Sequence, residues 1–256
     1  MTKPQVPTMM RQGLRLYQIG EMQLPGVTSI LNSLAKPQLQ YWAANTVAQC
    51  AIDELGKVAD WVINDNEKTA YDFLKRAPSR DSGPKAQLGT DVHDAIEKIN
   101  LNEDLGRVHP DVEPFIEVYR KFLKDFDVGI LEAEATIYKK DLYAGTLDMI
   151  IDIDGETIVC DVKTGKGIYP PVALQQVAYA RADAIYEIDG SERPLPKIDA
   201  AAALHLRPEG YVLLPLKIDD EVWSVFEALL RVSKWDSELS KTVIGKPELR
   251  DTSRNE

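Results

Sequence analysis

The stretch Gly145–Lys166, GTLDMIIDIDGETIVCDVKTGK, places two aspartates and a lysine inside runs of apolar residues. The dipeptide Asp154-Gly155 separates two β-rich segments and is typical of a two-residue hairpin turn, because both turn positions need positive φ. The segment therefore predicts a β-hairpin with a defined register. The predicted opposed pairs nearest the turn are Ile153–Glu156, Ile151–Ile158 and Met149–Cys160.

The next pair in this register brings two carboxylates together, because Asp148 faces Asp161. Opposed Cβ atoms in a hairpin lie roughly 4.5–5.5 Å apart, so two like charges there repel each other. Lys163 follows Asp161 by two positions and therefore projects from the same face, with Thr146 as its predicted cross-strand neighbour. The other face is apolar and is predicted to belong to the core: Leu147, Met149, Ile151, Ile158, Cys160 and Val162.

Two interpretations explain acids and a base on one face of a buried hairpin. In the first, Lys163 is a salt-bridge partner for one aspartate and the other aspartate is partly solvated. In the second, a hard divalent cation lies between Asp148 and Asp161, and Lys163 is available to act on a substrate. The hairpin alone leaves both interpretations open.

Composition sets broad limits on the chain. Its 256 residues, 44% of them apolar and 28% charged, are typical of a globular protein with a substantial core. No apolar run reaches the roughly 18 residues of a membrane-spanning helix, and the N-terminal sequence does not resemble a secretory signal. We therefore expect a cytoplasmic protein that has no contact with a membrane. The two cysteines, Cys50 and Cys160, are too few for a four-thiolate site or a disulfide framework.

The net charge of −11 argues against a protein that coats nucleic acid nonspecifically. Such binding depends on the neutralisation of phosphates by lysine and arginine. An enzyme whose site carries the charge of its own metal ion is not excluded.

The order of predicted elements is a group of helices, three strands, a helix, two strands and a final helix. This pattern predicts the α/β class, with a central mixed sheet of about five strands flanked by helices and a helical N-terminal region. Among the predicted helices, one covers 61–77 and another 171–188. The predicted organisation is an extended segment and helical region over 1–84 that ends in a loop at 78–84, a core over 85–240, and a polar tail over 241–256.

Polar residues recur at helical and strand spacing outside the hairpin. Gln175 and Tyr179 are four positions apart on a predicted helix, as are His93 and Glu97, and each pair alone is typical of a helix surface. On the predicted strand 129–138, four polar side chains share one face, and we expect the first of them to face solvent: Glu132, Glu134, Thr136 and Tyr138.

Four segments together resemble one known family. LGTDVHDAIE, AGTLDMII, CDVKTGK and LQQVAY occur in this order within residues 85–180, about a third of the chain. They are similar to the motifs of the PD-(D/E)XK nuclease superfamily, specifically its RecB-like exonucleases. The resemblance implies a restriction-endonuclease-like core, and its motifs are more specific as a set than singly.

The resemblance also implies roles for individual residues. In the family, the hairpin acids bind Mg²⁺ or Mn²⁺ and the lysine is catalytic, and these positions are Asp148, Asp161 and Lys163 here. The implied additional metal ligands are His93 and the main-chain carbonyl of Val162. Gln175 and Tyr179 match the family's Q-x-x-x-Y helix and are expected to contact substrate or support the site. Glu134 is the better aligned further acid, and Glu97 is second.

Two departures from the family pattern qualify the resemblance. The triplet reads Asp161-Val162-Lys163, with Asp in place of Glu, a replacement that RecB-like members accept. The four cysteines that hold an iron–sulfur cluster in the related CRISPR-adaptation exonucleases are missing, so no cluster is expected.

The function implied is a divalent-metal-dependent DNA exonuclease of recombination, repair or phage genome processing. DNA is the expected partner, together with a single-strand annealing or recombinase protein. Two alternatives stay open: a structure-specific endonuclease, and a binding module that keeps the nuclease fold without its chemistry. The sequence does not predict the oligomeric state.

Overall fold

A computed structural model describes residues 6–11 and 13–245. Within these ranges the chain forms ten strands and eight α-helices. The strands are β1 (Thr8–Arg11), β2 (Leu14–Ile19), β3 (Met22–Pro25), β4 (Gly129–Lys139), β5 (Tyr143–Ile153), β6 (Glu156–Lys163), β7 (Ala184–Tyr186), β8 (Glu192–Pro194), β9 (Ala200–Arg207) and β10 (Gly210–Leu216). The helices are α1 (Val27–Ile30), α2 (Pro37–Asp53), α3 (Leu55–Ile63), α4 (Glu67–Lys75), α5 (Ala77–Asn100), α6 (Glu113–Asp125), α7 (Pro171–Ala180) and α8 (Asp220–Ser237).

The main sheet has seven strands in the order β10-β9-β6-β5-β4-β7-β8. Strands β6 and β9 are parallel, and the other neighbours are antiparallel, so the sheet is mixed. Helices pack on both faces, and α2–α4 form a helical N-terminal region. The predicted α/β class is confirmed, although the sheet has seven strands where about five were expected.

The hairpin of β5 and β6 has the predicted turn and register. Asp154 and Gly155 adopt φ values of 53° and 84°, as a two-residue turn requires. The three pairs predicted nearest the turn are all present, and the ladder ends at Met149–Cys160. Beyond that pair, β6 continues alongside β9. The predicted pairs Asp148–Asp161 and Thr146–Lys163 lie beyond the end of this ladder and are therefore not formed.

The predicted alternation of faces fails in the middle of β5. Met149 packs with α5 and α6 in one core cluster, whereas Leu147 packs with α7 and α8 in another. The change occurs where the β4–β5 ladder is interrupted, between the pairs Ala133–Met149 and Ala135–Leu147. Glu134 lies at that point with a φ of 46°. A left-handed residue breaks the period-2 pattern of its own strand, so β4 is irregular at the same point where β5 changes face.

Three predicted boundaries in the helices are wrong. The predicted loop 78–84 lies inside α5, and the residue 84 boundary of the helical region therefore falls within a continuous helix. The predicted helix 61–77 is broken between α3 and α4, where Asp65 has a φ of 56°. The predicted helix 171–188 ends at Ala180, and the chain then forms β7, whose Ile185 pairs with Ile137 of β4.

The antiparallel sheet β1-β2-β3 was not predicted from the sequence. Tyr17, Ile19 and Leu24 of this sheet pack against Tyr138 and Ala144 of the main sheet. This contact places the N-terminal strands beside the hairpin.

No helix among the described residues combines the length and apolar character needed to cross a bilayer. Of the predicted polar tail 241–256, the part from residue 246 onward lies outside the described residues.

Candidate metal centre

A cleft of about 470 Å³ opens where α5, α7 and the N-terminal sheet meet β4 and β5. Most of the residues predicted to form a site line this cleft. The lining residues that the sequence singled out are His93, Glu97, Glu134, Thr146, Asp148, Gln175 and Tyr179.

Three side chains in this cleft form a cluster that could hold a metal ion. The ligand atoms of His93, Glu134 and Asp148 all lie within 4.8 Å of one another, and the three residues are half-buried. His93 Nδ1 is 3.6 Å from Asp148 Oδ2. Carboxylate oxygens suit hard divalent cations, and imidazole is a common ligand of several divalent metals. The donor set could therefore hold a divalent cation.

Asp148 also joins the two strands where their ladder ends. Its Oδ2 accepts a hydrogen bond of 2.8 Å from the main-chain N–H of Val162. This bond fixes the Asp148 carboxylate at the start of the gap between β5 and β6. It also places the peptide of Val162 at the site, although the role predicted for its carbonyl stays a prediction.

Asp161 and Lys163 form an ion pair beside the cluster. Asp161 is 1% exposed, and the Lys163 ammonium lies against its Oδ2. Within the described chain, this buried oxygen has the Lys163 ion pair and no other polar partner. The pKa of Asp161 is raised to about 7 because the carboxyl is buried and because Asp148 is near, while Lys163 acts in the opposite direction.

Asp161 is thus near Asp148 but outside the three-residue cluster. The arrangement of Lys163, Asp161 and Asp148 matches the first interpretation of the hairpin, a salt bridge next to a partly solvated acid. The cluster around Asp148 could hold a metal ion, but it leaves out Asp161. It therefore differs from the second interpretation, in which the cation lies between the two aspartates and Lys163 has no ion-pair partner.

Glu134 owes its place in the cluster to its backbone. A non-glycine residue with positive φ inside a strand is uncommon, and such strained residues often occur at functional sites. No feature of the sequence could have shown this conformation. Glu132, which was predicted to face solvent, is instead largely buried and forms an ion pair with Arg193. That prediction is wrong because β8 supplies a cation which the sequence did not place there.

Gln175 and Tyr179 meet at the floor of the cleft. Gln175 Nε2 donates a 3.1 Å hydrogen bond to the Tyr179 hydroxyl, and Tyr179 is only 2% exposed. A surface pair is therefore excluded for these two residues. Burial raises the pKa of Tyr179 well above its usual value, so the phenol stays neutral. A side chain at Gly145 would place its Cβ 2.8 Å from Tyr179 Cε1, which explains the glycine in that strand.

Several residues of the cleft were missed by the sequence analysis. Arg15 and Tyr17 come from the N-terminal sheet, and the Tyr17 hydroxyl lies 3.3 Å from Thr146 Oγ1. Asp94 of α5 lines the cleft and was also missed, whereas the buried Glu97 of the same helix had been named as a further acid. The packing of the N-terminal sheet on the hairpin is a long-range contact without a local signal in the sequence.

No protein-family model matches the chain, and no curated protein is similar to it at a significant level. The functional assignment therefore rests on the residues of the cleft and on their arrangement.

Proposed function

We propose that the protein is a divalent-metal-dependent nuclease that hydrolyses phosphodiester bonds of DNA, and that it acts as an exonuclease. The observation that carries the proposal is the His93, Glu134 and Asp148 cluster in an open cleft next to a lysine–aspartate pair. An open cleft is accessible to a polymer. A cluster of acids with a nearby cation matches the needs of phosphodiester hydrolysis.

The metal cluster and the neighbouring acid have one role in this proposal, which is to hold the metal ion. His93, Glu134 and Asp148 would hold Mg²⁺ or Mn²⁺, and the Asp161 carboxylate, which pairs with Lys163, is a further candidate ligand. A bound ion of this kind polarises a phosphate and lowers the pKa of a water molecule.

The chain's other groups position the reactants. Asp161 keeps the Lys163 ammonium at the edge of the site, where it can stabilise negative charge on the phosphate or orient a water molecule. The N–H of Val162 holds the Asp148 carboxylate, and Tyr179 holds the Gln175 amide towards the cleft.

Digestion of DNA of different forms tests the proposal. End-labelled linear DNA and covalently closed circular DNA are incubated with Mg²⁺, Mn²⁺ or chelator. An exonuclease degrades the linear DNA only, and chelator stops it. Cleavage of the closed circle would instead favour the structure-specific endonuclease.

The binding module is favoured by one observation, the net charge of −11, which suits a protein partner better than bulk DNA. A single-strand annealing or recombinase protein would be the expected partner. If purified protein with Mn²⁺ degrades no form of DNA, this alternative replaces the nuclease. The nuclease that we propose would act in recombination, repair or phage genome processing.

A further inference from the structure

A second cavity of about 280 Å³ adjoins the cleft on the side of Lys163. The two cavities share Thr28 and Gln175 as common walls. Lys163 lines the second cavity, whereas the metal cluster lines the first. A flexible ligand whose phosphate lies between the cluster and Lys163 would therefore extend into this second space.

The second cavity differs in character from the acidic cleft. Its lining surface is mainly apolar, and two lysines also line it. The apolar lining residues are Leu31, Ile168, Tyr169, Pro171 and Val172, and the lysines are Lys36 and Lys163. Apolar walls together with cations complement a nucleotide, which has an uncharged base between charged phosphates.

Tyr169 lines the second cavity, and its backbone is anchored at the start of α7. Its carbonyl accepts a 3.0 Å hydrogen bond from the N–H of Val172 in the first turn of α7. The other end of the same loop is fixed at Gly165, whose carbonyl contacts His205 Nε2 at 2.8 Å and accepts a bond from Arg207 at 3.1 Å. The backbone is thus anchored, yet Tyr169 is 63% exposed.

The volume of the cavity suits a single unpaired base. Pockets for drug-sized ligands span roughly 300–1,000 Å³, so about 280 Å³ has room for little more than one base. A base inside a duplex is stacked on both faces and paired at its edge, and it must leave the helix before it can stack on a side chain. A single-stranded end meets this condition without that penalty.

We propose that this cavity is a base subsite that takes one unpaired nucleotide of a single-stranded DNA end, next to the scissile phosphate. The inference rests on the proposed function for the position of that phosphate. It deepens the function by assigning single-stranded DNA as the substrate class, with Tyr169 as a residue that binds the substrate.

Binding of a short, end-labelled oligodeoxythymidine at low salt tests the subsite, read by fluorescence anisotropy with Ca²⁺ present as a hard cation for the acidic cleft. Stacking of a base on an aromatic side chain predicts that Tyr169→Ala weakens binding by about 5- to 100-fold, while Tyr169→Trp preserves it. Tyr71→Ala is the matched control, because Tyr71 is also 63% exposed but does not line either cavity. We expect the control to bind as the wild-type protein does.

An oligonucleotide with an abasic position separates stacking from a structural effect. Moving the abasic site along the strand should reveal one position whose loss weakens binding by the wild-type protein but not by Tyr169→Ala. Equal binding by wild-type, Tyr169→Ala and Tyr71→Ala proteins overturns the base subsite, as does a uniform effect of the abasic site at every position.

The nuclease assay distinguishes this inference from the function on which it rests. Faster cutting of single-stranded than of blunt duplex ends, with the difference lost in Tyr169→Ala, supports the subsite. Equal cutting of both forms overturns the subsite and leaves the nuclease standing. A protein that cuts no DNA contradicts the nuclease, and the anisotropy difference between Tyr169→Ala and Tyr71→Ala then decides the base subsite by itself.

Discussion

In the metal-free protein, the environment of Asp161 disfavours the ionised form of its carboxyl group. Its pKa is raised to about 7, mainly by burial and then by the charge of Asp148. Between about pH 4 and pH 7 the folded protein therefore keeps a proton that the unfolded chain releases. The stability contributed by this group is present below about pH 4 and is lost as the pH rises through 7. We predict that the melting temperature in chelator falls over this range, and that Asp161→Asn flattens the fall.

Asp199→Asn is a suitable control for that measurement. Its pKa is lowered by Lys197 and by the N–H of Thr157, so it titrates below the window in which Asp161 acts. The stability that Asp199 contributes is lost as the pH falls through its folded pKa, whereas the stability from Asp161 is lost as the pH rises. An unchanged slope in the Asp161→Asn protein would contradict the assignment of the raised pKa to that carboxyl.

Substitution of either member of the Asp161–Lys163 pair has different predicted effects. Lys163→Ala leaves a buried carboxylate without its counter-ion and lowers stability at pH 8, by about 1–3 kcal/mol because the lysine is 38% exposed. Asp161→Ala leaves an ammonium that can reach water and removes repulsion with Asp148, so metal-free stability holds or rises.

The same two variants separate catalysis from structure. Lys163→Ala should keep the rise in melting temperature that Mn²⁺ produces and lose nuclease turnover. Asp161→Ala should lose turnover and bind Mn²⁺ more weakly. Melting curves with and without Mn²⁺, together with digestion rates, provide the comparison. A Lys163→Ala protein that cuts DNA at the normal rate would contradict the catalytic role of the lysine.

Individual site residues could be predicted from the sequence where a local rule fixed them. The turn at Asp154-Gly155 sets the register, and the register brings Asp148, Asp161 and Lys163 to one end of the hairpin. Other contributions depend on features without a local signal. Glu134 enters the cluster through a positive φ, and Arg15 and Tyr17 arrive on a separate sheet.

At the scale of elements, the contact between β5 and α7 is set by a single missing side chain. A Cβ on Gly145 would lie 2.8 Å from Tyr179 Cε1, a distance that the buried ring can relieve only by moving. We predict that Gly145→Ala destabilises the protein by about 1–3 kcal/mol, as overpacking of a core does. It should also lower nuclease activity by disturbing the Gln175–Tyr179 hydrogen bond.

Gly129→Ala is the matched control in the neighbouring strand β4. A Cβ there would be 3.4 Å from the Cβ of Asp152, which is close to an ordinary van der Waals contact. The neighbouring atoms would therefore need to move little or not at all. Urea unfolding of both variants gives the two free energies. Equal stability of the Gly145→Ala and Gly129→Ala proteins would contradict the proposed close approach of Tyr179.

The prediction of elements failed where tertiary packing outweighs local propensity. Residues 78–84, PSRDSGP, read as a loop because of their prolines, glycine and serines. They form the first turns of α5, where Pro78 lies at the start of the helix and needs no hydrogen-bond donor. The contacts of α5 with α2, α4 and α6 stabilise a helix that the composition of this segment disfavours. The short strand β7 was missed for a similar reason, because its partner β4 lies far away in the sequence, and β8 is the edge strand that pairs with β7.

At the scale of the molecule, the chain is strongly acidic, and several of its acidic side chains lie together in one cleft. The net charge is −11, and the cleft collects five acids or imidazoles besides its one arginine, namely His93, Asp94, Glu97, Glu134 and Asp148. Such a cleft repels phosphate when it is empty and attracts it when divalent cations are bound. We therefore expect DNA to bind in the cleft only when a metal ion is present there.

The most direct test of the account is calorimetric titration of Mn²⁺ into the wild-type protein, Asp148→Asn and Asp152→Asn. Asp152 lies on the same strand but interacts with the hairpin turn, through a 3.3 Å contact with the N–H of Gly155. We predict that the wild-type and Asp152→Asn proteins bind Mn²⁺ equally, and that Asp148→Asn binds it at least about tenfold more weakly. Equal Mn²⁺ affinity in the Asp148→Asn and wild-type proteins would contradict the metal centre, and with it the proposed nuclease.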